Sequence, residues 1–146
     1  MNKKFILFAT VLAIITGCAL PQKTGKGDAV AKNSAICGRW EGAAPDNSIV
    51  GYVFSDDGSV LWSIAGRGSI HAKYEVRNND DLLDVDIYDF DTPKLKNVRF
   101  IGIAKIEGEC MKFLGVPSKN GRTPDGAIAA RPKEFGSKAI VLHRLN

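Results

Sequence analysis

Three cysteines, two histidines and four closely spaced aspartates are the residues of this 146-residue chain best suited to chemistry. Cys18, Cys37 and Cys110 lack the close pairing that a zinc site requires. His71 and His143 belong to no H-E-x-x-H pattern, and His71 shares a strand face with Lys73 and Glu75, which reads as surface. Asp84 and Asp86 alternate with Val85 and Ile87, with Asp89 and Asp91 beyond them. That alternation predicts a solvated acidic face, and it lacks the loop spacing of a calcium site. No serine stands in a G-x-S-x-G elbow. Gly66-Arg67-Gly68-Ser69 lacks the strand-to-helix setting of a phosphate loop. These residues assemble no reaction centre, so the expectation is a protein without enzymatic activity, cofactor or metal.

Cys18 has a setting of its own. Lys3 and Lys4 precede an apolar run from Phe5 to Ile15. A membrane-spanning helix needs about 20 apolar residues, so this run reads as a secretion signal. It ends in Ile15-Thr16-Gly17-Cys18, which resembles the bacterial lipobox. Small residues let an extended chain enter a peptidase at the membrane surface, and the thiol is the nucleophile that receives a diacylglycerol. Cleavage would remove residues 1–17 and leave an acylated Cys18, with two or three chains giving durable anchoring. The residue after it is Ala19, not the aspartate that retains such lipoproteins at the inner membrane. The resemblance therefore implies an outer-membrane anchor facing the periplasm.

Without residues 1–17 the formal charge falls from +4 to +2, a mixed surface with no basic stripe for nucleic acid. Residues 18–36 are small, polar and interrupted by Pro21, Gly25 and Gly27, which suits a flexible tether. Residues 37–146 are enough for one domain with its own core. In an oxidising compartment the remaining cysteines, Cys37 and Cys110, predict a disulfide, and closing so long a loop would stabilise by about 4 kcal/mol.

Those residues must be carried by strands. Tyr52-Val53-Phe54 leads to Asp56-Asp57-Gly58, a hairpin signal. Ile70, Ala72, Tyr74 and Val76 share one face of a period-2 segment, and Leu83, Val85 and Ile87 share another. A strand is predicted over 98–106 and another over 110–114, then a loop over 117–134 and a last strand over 139–144. With no helical stripe and hairpin-length turns, the prediction is one all-β domain, an up-and-down antiparallel barrel of about eight strands.

Gly38-Arg39-Trp40 at the start and Arg144 in the last strand are similar to the G-x-W and closing arginine of lipocalins. That resemblance implies a tryptophan plugging one barrel end beneath an arginine. The ordered features Ile101-Gly102-Ile103, Gly108 with Lys112, and Arg131-Pro132 with Phe135 extend the likeness over nearly the whole domain. They resemble a lipocalin-like family of small secreted bacterial proteins of uncharacterised function. The departure is a longer insert, 117–130, before Arg131-Pro132.

The expected function is a cell-envelope lipoprotein whose barrel binds a small apolar ligand or an envelope partner. Tyr52, Phe54, Trp62, Tyr74, Phe100 and Phe113 are candidates to line a cavity, although alternating aromatics also suit simple packing. Loops 66–69 and 117–134 carry Arg67, Lys119, Arg122, Arg131 and Lys133, which would favour an anionic partner. Two alternatives stay open: a lysozyme-inhibitor-like protein, from a loose likeness in residues 63–74, and a structural envelope protein without a ligand.

Overall fold

The computed structural model describes residues 35–146. The expected signal segment 1–17, Cys18 and the chain up to residue 34 lie outside the described residues. Alternating apolar residues and short turns produce eight strands: β1 Gly38–Ala43, β2 Ile49–Phe54, β3 Ser59–Ile64, β4 Gly68–Asn79, β5 Leu82–Tyr88, β6 Val98–Glu107, β7 Cys110–Lys119 and β8 Ile140–Leu145. Each pairs antiparallel with the next, and β8 pairs with β1 to close a barrel. Closure removes the exposed edges that an open sheet would present.

Chain direction sorts the connections to two ends. Residues 35–37 and the turns 55–58, 80–81 and 108–109 lie at one end; 44–48, 65–67, 89–97 and 120–139 lie at the other. The period-2 pattern fills the interior with Trp40, Phe54, Val60, Val76, Val85, Met111 and Leu142. Charged residues such as Lys73, Arg77 and Lys112 are exposed between them. Ile36, read as tether, is fully buried in this core, so the folded unit begins before Cys37.

Strand β7 continues to Lys119 through Pro117, which the sequence reading places in a loop. Only Cys110–Phe113 of β7 pair with β8, so Pro117 falls on an edge, where a strand tolerates proline. The long connection then crosses the outside of the barrel. Ile103 and Leu114 face outward as a cross-strand pair. Ile103 is nonetheless fully buried, with Arg131 and Pro132 beside it. The end of the long connection covers apolar surface that the outer face would otherwise expose.

The expected Cys37–Cys110 disulfide is absent. Register explains why. Cys110 is level with His143, and His143 is level with Glu41. Cys37 lies four residues before Glu41, about 13 Å along an extended chain. A disulfide needs Cα atoms within about 7 Å. Each sulfur meets a different group: Cys37 Sγ is 3.5 Å from Tyr74 Oη, and Cys110 Sγ is 3.4 Å from His143 Nδ1. Non-reducing peptide mapping is expected to recover the two cysteines in separate peptides; a cross-linked peptide would contradict this register.

Candidate functional site

One barrel end is plugged. Trp40 is 1% exposed, and its Nε1 donates to the Ile36 carbonyl at 2.8 Å. The Arg144 guanidinium stands 4.2 Å over the indole. Arg144 also donates to the carbonyls of Cys37 at 2.7 Å and Ala35 at 2.8 Å, and its Nε is 3.2 Å from Glu109. Gly38 belongs to this unit for steric reasons. Its φ is +128°, and a Cβ there would sit 2.6 Å from Arg144 Nη1. The spacing of Gly38, Trp40 and Arg144 thus has one physical meaning: room, plug and clamp.

Above the plug the candidate aromatics divide. Phe54 and Tyr74 pack edge to face at 4.9 Å, and Tyr74 Oη donates to the Ser55 carbonyl at 2.7 Å. These two are core. Tyr52 stacks on Phe54 at 5.7 Å and meets the edge of Phe113 at 5.7 Å, forming a floor. Trp62, Phe90 and Phe100 form a mutual edge-to-face trio at 5.5–6.2 Å. Such pairs add about 0.5–1.5 kcal/mol each beyond area burial.

Over that floor the barrel opens into a cavity of about 450 Å³ at the end opposite the plug. Its walls include Val50, Tyr52, Trp62, Phe100, Phe113 and Ile140. Its charged groups come from the connecting segments at the rim. Asp46 accepts from the Ser48 hydroxyl and amide, and those bonds, the hydroxyl first, hold its carboxyl below the usual range. Lys138 is a cation at this rim. A second void of about 20 Å³ lies among Tyr52, Trp62, Ile87, Phe90, Phe100 and Phe113. Tyr52 and Trp62 were legible as alternating aromatics; Lys138 and the Asp46 turn carried no comparable signal.

The acidic strand behaves differently from expectation. Asp84 and Asp86 do face outward, but Asp86 is only 6% exposed and is not solvated. Arg131 reaches Asp86 at 2.7 Å and Asp84 at 3.3 Å, and donates to the Gly102 carbonyl at 2.6 Å. Arg99 contacts Asp86 at 3.0 Å and Glu75 at 2.9 Å, with its guanidinium 4.6 Å over Tyr88. The long connection brings Arg131 down onto the carboxylates, which shields Asp86 from water. Arg131 is therefore committed to holding the insert and is not offered to an anionic partner.

Breaking this clamp should loosen the insert and spare the barrel. A buried charge that loses a partner is costly, and Arg99 remains to offset part of that cost. Arg131→Gln is expected to lose about 2 kcal/mol in urea unfolding. Thermolysin should then cut within 120–139 faster than in the parent. Unchanged cleavage would contradict the clamp. Among the described residues no group of three or more His, Cys, Asp or Glu is placed to hold a metal ion.

Fold and site define an eight-stranded up-and-down barrel with one plugged end and one open, aromatic-lined mouth. No family model, curated protein or solved structure matches this chain.

Proposed function

We propose that this chain is a non-enzymatic lipoprotein of the bacterial cell envelope, anchored through acylated Cys18, whose barrel mouth binds a small apolar ligand. The observation that carries the binding is the mouth cavity, about 450 Å³ with largely apolar walls and a few polar groups. Ligand sites have this form, and a barrel of eight strands is just wide enough to hold one small molecule. The run ending in Ile15-Thr16-Gly17-Cys18 supports the anchor. Kinship to the lipocalin-like family belongs to the same proposal, supported by the up-and-down closure and the Gly38–Trp40–Arg144 unit. Residues 35–37 enter at the plugged end, so a tethered barrel would carry its mouth at the end away from the anchor.

N-phenyl-1-naphthylamine, a neutral dye that brightens in apolar pockets, tests the binding. The mature chain is expected to give a saturable rise with one site. Ala44→Trp places an indole at the rim of the mouth and should remove that rise. No saturable signal from the parent protein would refute the binding reading. Mass spectrometry of protein extracted from host membranes is expected to find an acylated N-terminal Cys18, and an unacylated terminus would refute the anchor.

A further inference from the structure

We infer that the mouth selects a short, flat ligand bearing a neutral carbonyl oxygen, which enters oxygen first and accepts hydrogen bonds from Tyr52 and Trp62. This rests on the reading of the mouth as a ligand site and adds the chemistry of the occupant. Tyr52 is 8% exposed, and burial alone raises its pKa, so its hydroxyl stays a neutral donor. Trp62 Nε1 is buried and has no hydrogen-bond partner among the described residues. The two residues face each other across β2 and β3, with both side chains inward.

Buried tyrosine hydroxyls and indole N–H groups usually find acceptors, and a buried donor left without one is destabilising. An unpartnered indole N–H and a neutral tyrosine hydroxyl on paired residues that line one cavity mark a place suited to an acceptor. A carbonyl oxygen has two lone pairs and suits a pair of neutral donors. A carboxylate suits them less, because Lys138 stands at the rim and burying a charge away from its counter-ion is far more costly.

Size follows from the floor. The void beside Tyr52 and Trp62 is about 20 Å³, room for one oxygen-sized group. Beneath it the Tyr52–Phe54 stack and the edge of Phe113 close the barrel, and Trp40 plugs the far end. A long acyl chain entering at the mouth meets this floor and cannot run on through the barrel. The aromatic walls favour a flat ring system, which packs against ring faces and edges.

The probe pair is 9-fluorenone and fluorene, nearly identical in shape and differing by one carbonyl. Titrated into the mature chain, fluorenone is expected to bind at least about tenfold more tightly, as in sites built to hydrogen-bond a ligand group. Tyr52→Phe keeps the stacked ring and removes the hydroxyl; Trp62→Phe removes the indole donor. Each should cut that preference, and the double variant should abolish it. Palmitate is expected to show no saturable binding. Equal affinity for fluorenone and fluorene would overturn the carbonyl inference and leave the mouth reading standing. Preference retained in the double variant would overturn the assignment of the donors. Palmitate binding more tightly than fluorenone would overturn the size limit, and failure of both ring compounds would overturn inference and reading together.

Discussion

Trp40→Ala is expected to lose about 4 kcal/mol of folding stability, measured as a lowered urea midpoint with an unchanged slope. The ring is almost wholly buried. Arg144 comes from the last strand and is held by carbonyls of residues 35 and 37, so it stays above the vacancy and leaves a cavity. The indole N–H bond to Ile36 is lost with the ring, loosening a residue that is itself fully buried. Arg144→Met keeps an apolar stem over the indole and removes the guanidinium. It should cost less, about 1–2 kcal/mol, from the cation–π contact and the carbonyl bonds. A loss below about 1 kcal/mol for Trp40→Ala would mean that the plug does not support the fold.

Gly42→Ala is expected to be comparably damaging, although it adds a single methyl. A Cβ at position 42 would lie 2.0 Å from the Val141 carbonyl oxygen, 3.0 Å from its carbon and 3.2 Å from Leu142 Cα. All three are backbone atoms, which cannot rotate aside as a side chain would. Gly42 pairs with Leu142 in the β1–β8 ladder, the seam at which the barrel closes. Spreading that seam costs its hydrogen bonds and packing as well as the overlap, for about 3 kcal/mol or more. It would also expose two strand edges, which promote association between chains. Hydrogen exchange should report the opening, with protection lost first at 39–43 and 141–145. Parent-like protection there, with less than about 1 kcal/mol lost, would show that the seam can absorb a methyl.

The strand content and its inward residues were legible in the chain alone. Ile70, Ala72, Tyr74 and Val76, or Leu83, Val85 and Ile87, alternate because each strand has one face on the core, and period 2 is a local property. Hairpin-length turns made the meander legible for the same reason. The Trp40–Arg144 contact spans the whole domain and was legible only through a resemblance carried by two residues and their places in the first and last strands.

Tertiary structure alone decided the rest. Whether Cys37 meets Cys110 depends on register accumulated across β7, β8 and β1, and no residue type announces a separation of four positions along a strand. Alternation put Asp84 and Asp86 outward, but the burial of Asp86 beneath Arg131 depends on where a connection of some twenty residues lies across the sheet. The division of the aromatics into core and mouth was also hidden. Phe54 and Tyr52 are both aromatic and face the same way, and their heights along the barrel put one in the core and the other at the mouth. Period 2 determines which side of a strand a residue takes. Register, closure and the path of the long connection determine what it meets there, and those follow from contacts between residues far apart in the chain.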